Sequence, residues 1–488
     1  MAYFIRAKYM LPISDKLGRC TRIHDGYIVY NQGKILEVGP YCEQIGQQLL
    51  QKYNPLQVIG NRNLFAKSTA DFICHLGVLL PSFIKAHGHD HESPIIGIAK
   101  DVPLTTWLDG AVNVFTQFLE DNGKDIQNKY NRSAHAITYR KSRLDDIYYG
   151  ITSALTHHCG HNKYHVADLV EANESIGTRI IIAVGSQDRN FYEKILDPTP
   201  QSVVDRVDKY YQEYKGLKRT SIIPGPDQFF SNGPEVLQAV KKWSDEHDTL
   251  LHIHGAEEYN TTQWFNEKYG MTSLEYANSI GFLGPKTIIA HQVHSTEKEL
   301  ELLRDTKTKV VHNPLANTIL GSGMPVVPQM LEMGIQVAIS TDGSGSADSQ
   351  NILAAARCAS QYQKAFHHDP KLLPAQKVLE MITIEPAQML GLNAGSLEEG
   401  KDADIVLVDL RRPNMTPTRV TNVIENLIWA SDGSEIQYVI ANGKVLKDNY
   451  TFTTIDATQA LAEVQALGEQ FDEYKQRIGQ LKGTGANQ

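Results

Sequence analysis

Residues 78–92, VLLPSFIKAHGHDHE, open as an apolar run and close in three histidines and two acids. Side chains of a strand alternate between its faces, so His87 and His89 share one face. The same design recurs seven times downstream: ITSALTHHCG (151–160), TRIIIAVGSQ (178–187), RTSIIPGPDQ (219–228), TLLHIHGAEE (249–258), TIIAHQVHS (287–295), TKVVHNPLAN (308–317) and QVAISTDGSG (336–345). Most of these runs precede a longer amphipathic segment. PEVLQAVKKWSDEHD (234–248) and STEKELELLRD (295–305) have helical apolar spacing, and the second opens with a Ser-Thr and Glu capping signal. Strand then helix, repeated, predicts a parallel sheet. Eight units over roughly 310 residues fit a (β/α)8 TIM-type barrel, whose polar residues gather at the strand C-terminal ends. An open doubly wound sheet is the alternative reading of the same alternation.

Outside this stretch the vocabulary changes. GYIVYNQGKILEVG (26–39) is broken by the hairpin signal Asn31-Gln32-Gly33-Lys34, and EIQYVIANGKVLKDN (435–449) by Asn442-Gly443; ADIVLVDLRRP (403–413) precedes the second. The two ends therefore predict one small β-sandwich-like domain, residues 1–76 and 386–450, around a barrel over 77–385. The remainder, 451–488, reads as a helix from about Asp456 to Leu481, a surface appendage with a frayed tail.

Composition excludes several classes. The 488 residues hold 47 Lys+Arg against 56 Asp+Glu, a net charge of −9, which argues against a basic nucleic-acid face. No apolar run approaches the ~18 residues of a membrane span. Arg6, Lys8 and Asp15 interrupt what would be the apolar core of a signal peptide. Five scattered cysteines, Cys20, Cys42, Cys74, Cys159 and Cys358, without CxxC spacing, read as reduced thiols. The expectation is a soluble cytoplasmic protein without nucleic-acid or membrane partners.

The strand ends carry the chemistry. His87 and His89 end the first run, His252 and His254 the fifth with Glu257 three residues on, His291 the sixth, and Asp342 the eighth. Three neutral imidazoles and one carboxylate at one barrel rim form a ligand set for a single divalent metal, Zn or alternatively Fe, with one position open for water. Separately satisfied histidines at unrelated strand ends are the bland alternative. His252, one strand repeat deeper, is expected to pack or to support the ligands. GSLEEGKD (395–402) nearly spells a phosphate loop, but Asp402 stands where the hydroxyl is needed and a strand follows.

PSFIKAHGHDHE, HIHGAEE, IIAHQ, VHNPLAN and STDG resemble the signatures of the amidohydrolase superfamily, in particular its cytosine-deaminase-like branch of chlorohydrolases and aminohydrolases acting on N-heterocycles. AGSLEEGKDADIVLVDL and VIANGKVLKDN resemble that branch's C-terminal pattern. The resemblance implies His87, His89, His254 and Asp342 as metal ligands, Glu257 as proton shuttle and His291 as partner of the reacting water or intermediate; it also implies a homodimer. The expected chemistry agrees: a divalent metal brings the pKa of bound water towards ~7, and Glu257 and Asp342 can then move protons to a ring nitrogen and the leaving amine. A second metal in this superfamily usually calls for a bridging Lys at the end of strand four; IIPGPDQFF has none, so one metal is expected. The rim HGHDHE is unusually polar for the branch, through His91 and Glu92, and Thr106 precedes Trp107 where adenosine-type deaminases carry an acid, which argues against a ribose-bearing substrate.

The implied activity is hydrolytic removal of an exocyclic amine from a purine-, pterin-, pyrimidine- or triazine-like ring. The same ligands also suit release of chloride or an alkylamine, or opening of a cyclic C–N bond, and a barrel that has become a non-catalytic scaffold is the reading from another class. Candidate substrate contacts are Trp107, stacking on the ring, His158 and His161 in the cluster THHCGHNKYH (156–165), and His312. Packing for Trp107, a solvated loop for the histidine cluster and a structural His312 are the alternatives.

Overall fold

A computed structural model describes residues 1–60, 65–98 and 100–484. The eight apolar runs become strands in the order read from the sequence. To number them in chain order, the N-terminal segment first contributes β1 (Ala2–Met10), β2 (Ile23–Asn31), β3 (Lys34–Pro40), β4 (Leu56–Val58) and β5 (His75–Pro81). Then β6 (Phe83–Lys85), β7 (Ile151–His158), β8 (Arg179–Ser186) and β9 (Thr220–Pro226) pair in succession as one parallel sheet. A second parallel sheet follows, made of β10 (Leu251–Gly255), β11 (Thr287–His291), β12 (Lys309–His312) and β13 (Val337–Ile339). The two meet at a parallel bridge between Gln228 and His254, and at the other edge the Ser340 hydroxyl donates to the carbonyl of His87.

Parallel neighbours need crossover connections, and helices supply them. Pro234–Glu246 links β9 to β10, as its spacing predicts, and Glu297–Thr306 links β11 to β12 behind a Thr296/Glu299 capping box. One face of the strands packs on these helices. The other builds a shared interior in which Ile84, Leu155, Ile181, Ile223, Ile288, Val311 and Ala338, one from each of seven strands, meet in one buried cluster. That interior floor leaves the strand C-terminal ends to carry polar groups.

Both chain ends enter one nine-stranded sheet, in which β14 (Ile405–Asp409), β15 (Ile436–Ala441), β16 (Lys444–Asp448) and β17 (Thr451–Phe452) continue through β5 to β1, β2 and β3, with β4 beside β1. The two hairpins read from the sequence turn where expected, with Gln32 and Gly33, then Asn442 and Gly443, in left-handed conformation, as a two-residue type I′ turn requires. Two readings are corrected. The run 78–92 is not one strand: β5 pairs with β1 and β14, and only after Ser82 does β6 join β7, so the boundary drawn at 76/77 falls inside β5. The C-terminal helix Ala457–Thr484 is not a loose appendage, because Leu467, Phe471 and Tyr474 are buried against Phe115 and Phe118 of the helix Asn113–Tyr130. Of the tail expected to fray after Leu481, residues 482–484 continue the helix and 485–488 lie outside the described residues. Among those described, no helix is long and apolar enough to cross a membrane.

Candidate active site

The strand ends converge. Asp342 lies just past β13, with its Oδ1 3.1 Å from His87 Nε2 and 3.5 Å from His89 Nε2, and its Oδ2 3.5 Å from His291 Nε2. His89 Nε2 and His254 Nε2 are 3.1 Å apart. Ligand atoms of His87, His254 and His291, and those of His87, His89 and Asp342, each fall within 4.8 Å of one another. His291 thus stands beside the expected ligands as a fifth donor. His291 and Asp342 hold left-handed backbone, φ 72° and 70°, which costs a non-glycine residue on the order of 1–3 kcal/mol and turns both side chains to the centre.

Hydrogen bonds set which nitrogen of each ring carries its proton. His254 Nδ1 donates to the Asp227 carbonyl at 2.7 Å and His89 Nδ1 to the His157 carbonyl at 3.1 Å, leaving both Nε2 atoms bare. His87 is fixed by a longer chain: Asp227 Oδ1 accepts from His157 Nε2 (3.0 Å), His157 Nδ1 from His252 Nδ1 (3.1 Å), and His252 Nε2 from His87 Nδ1 (3.2 Å). His87 Nε2 is then also bare, fully buried and without a hydrogen bond. Burial and the neighbouring rings push His87 and His89 well below the usual imidazole range and His254 down to about 4, so none carries a second proton at neutral pH. Three lone pairs facing one another and a carboxylate repel. A divalent cation among them resolves that conflict, so the residues present fit a metal.

The acids around this point are not ordinary carboxylates. Burial, with the charges of Asp342 and Glu258, holds the Glu257 carboxyl well above its usual range; its Oε2 lies 3.7 Å from His291 Nε2. That carboxyl lines the cavity, where it can exchange a proton with what lies there. Glu92 is pushed up to about 8 by burial and Asp342, while accepting from Gly345 N–H, Ser346 N–H and the Ser346 hydroxyl. His291 is oriented by Asn317 Oδ1, 2.8 Å from its Nδ1, and Asn313 Nδ2 lies 3.4 Å from its Nε2.

The cavity above is lined by His89, His254, Glu257, His291 and Asp342 on its floor and by Trp107, Val112, His161 and Phe191 on its walls. Trp107 is buried there, so packing and ring contact are one position. His161 reaches Asn113 Oδ1 at 2.6 Å and stacks near Tyr192. His158 and His312 are fully buried but are not among the described lining residues; His158 turns to Tyr139, and His312 keeps both nitrogens unbonded beneath the rim. The cluster whose alternative reading is a solvated loop is mostly interior, although Tyr164 is exposed and His165 turns to Asp168. Asp227, the His157–His252 link and Glu258 were not singled out as site residues from sequence. Asp227 had one signal, an acid at the end of the fourth run.

Comparison with known proteins places this geometry. The model of the amidohydrolase family matches residues 78–446. A 5-methylthioadenosine/S-adenosylhomocysteine deaminase of Aquifex aeolicus is 29% identical over 393 residues, 80% of this chain and 86% of its own. A 5'-deoxyadenosine deaminase of Methanothermobacter thermautotrophicus is 30% identical over 372 residues, 76% and 82% of the two chains. Among solved structures, the atrazine chlorohydrolase of Arthrobacter aurescens complexed with zinc superposes with a TM-score of 0.83 at 22% identity, covering 96% of this chain and 100% of that one. An adenosine deaminase of Xanthomonas campestris with bound zinc gives 0.81 at 20%, covering 96% and 98%.

Proposed function

The chain belongs to the amidohydrolase family, and from that membership we propose that it is a metal-dependent hydrolase that removes an exocyclic amine, as ammonia, from an N-heterocycle. Its fold is of the TIM-barrel type. We read the two parallel sheets as one closed (β/α)8 barrel over residues 77–385, with the division moved past β5, and the nine-stranded sheet as a small sandwich-like domain from both termini. A cytoplasmic homodimer belongs to the same reading. The observation that carries the function is the convergence of bare imidazole nitrogens and Asp342 beside the buried Glu257 carboxyl.

His87, His89, His254 and Asp342 would hold one divalent ion, Zn or alternatively Fe, with His291 beside them. Such an ion supplies acidified water and offsets charge developing at the ring carbon. Glu257 moves a proton from the attacking water to a ring nitrogen; Asp342 takes the second and passes it to the leaving amine. A C–O bond forms, the C–N bond breaks and ammonia departs. His291 Nε2 accepts a hydrogen bond from the water and keeps it against the ring. Trp107 and Phe191 stack on the ring and exclude bulk water. The relatives' names make amino-substituted purines the first candidates, ahead of pterins, pyrimidines and triazines.

Ammonia release by metal-analysed protein against such a panel tests this, with chloride and amine followed in parallel. Ammonia from one ring class at about one metal per chain is expected. Chloride or alkylamine instead, or a folded protein that takes up no metal, overturns it.

A further inference from the structure

Beside the ring cavity, and sharing Phe191 with it, lies a second chamber, a vestibule. Glu257 lines the inner space and the next residue, Glu258, lines the outer, so two consecutive carboxyl groups face two adjoining chambers. Glu258 is only 6% exposed and stands at the N-terminus of the helix Tyr259–Tyr269, yet its side chain does not cap that helix. Neither Oε makes a hydrogen bond of good geometry to a described residue. Burial raises its carboxyl, and the Thr105 hydroxyl beside it opposes that rise. Apart from that hydroxyl the group is unanswered, and a ligand that pairs with it recovers the cost of its burial.

The chamber has one electrical sign. Asp109 adds a second carboxylate to the lining, and no described lining residue is Lys, Arg or His. The rest of the wall is aromatic, with Phe191, Tyr192, Phe230 and Trp264. Ring faces attract cations, and one face of Trp264 already receives Lys268 Nζ at 4.4 Å from its centroid. A neutral hydroxylated group would satisfy donors but leave two negative charges unbalanced; an ammonium answers both the charge and the rings.

We propose that the vestibule is the subsite for a positively charged, amino-terminated arm of the heterocyclic substrate, held by Glu258 and Asp109 against Phe230 and Trp264. This rests on the inner cavity being the ring site of a deaminase.

The test uses metal-loaded enzyme and 6-aminopurines and amino-triazines that carry a propyl, 3-hydroxypropyl or 3-aminopropyl arm, following ammonia release and binding by calorimetry. The aminopropyl compound is expected to exceed the propyl one at least tenfold in kcat/KM, through KM. Glu258→Gln should bring that ratio within twofold, and Asp109→Asn should reduce it partway. A variant that merely folds poorly lowers both compounds alike and leaves their ratio. Equal handling of the three arms, a preference for hydroxypropyl, retention of the ratio in Glu258→Gln, or no binding of any arm overturns the proposal. Tenfold tighter aminopropyl binding without ammonia release contradicts the deaminase reading and leaves the subsite; equal ammonia from all three does the reverse.

Discussion

Four residues, Asp227, His157, His252 and His87, form a hydrogen-bonded line that ends in a lone pair. If that line fixes the tautomer of His87, its middle member matters to the metal without touching it. His252→Ala should weaken metal affinity ~10–100-fold, the usual effect of removing a group that orients a ligand, read by chelator competition; unchanged affinity would reduce His252 to packing. Glu257→Gln makes the opposite prediction, keeping the metal while turnover falls ~10²–10⁴-fold because only a proton carrier is lost. Near-normal turnover would remove Glu257 from that role. Asp342→Ala should lower metal content and activity together. The histidine pairs were legible in sequence because a strand's two-residue period puts 87 with 89 and 252 with 254 on one face. The His157–His252 contact was not, since it depends on which strands meet across the interior, and the pairing of Gln228 with His254 has no local mark.

Among the elements, the strand order was readable and one strand boundary was not. Leu79, Leu80, Phe83 and Ile84 are all buried, in two different sheets, so apolar periodicity runs unbroken across Pro81 and Ser82 where the chain changes sheet. The C-terminal helix was visible as a helix, but its partner was not, because the apolar stripe that names a buried face does not name what buries it. That partner is the segment that also carries Trp107 and Val112 to the cavity wall. Phe471, 1% exposed, sits 5.1 Å from the Phe115 ring and 5.5 Å from Phe118. Phe471→Ala should cost about 3 kcal/mol in stability and, by loosening the wall, raise KM more than it lowers kcat. Denaturant unfolding and steady-state kinetics check both, and unchanged KM would disconnect helix from site.

At the scale of the molecule, the nine-stranded sheet must be fixed to the helices around the parallel strands, and one tie is a buried cation. Lys447 of β16 is 2% exposed, donates at 3.1 Å to the carbonyl of Tyr148, the last residue of the helix Ala134–Tyr148, and lies over the Tyr148 ring. No described residue pairs it with a carboxylate. Burial lowers its ammonium from 10.5 to about 8. The fold therefore disfavours the charged form: the penalty is full below pH 8, shrinks between about 8 and 10.5 as the folded chain holds fewer protons than the unfolded one, and is gone above. At ~1.4 kcal/mol per pKa unit, less what the carbonyl and ring return, Lys447→Met should stabilise the protein by about 1–3 kcal/mol at pH 7. That gain should decline steadily towards pH 10.5. Denaturant unfolding of both proteins at pH 7 and 9.5 measures it, because every other titrating group cancels in the difference. A variant less stable at pH 7, or a gain independent of pH, would mean that the tie to Tyr148 outweighs the cost of burying its charge.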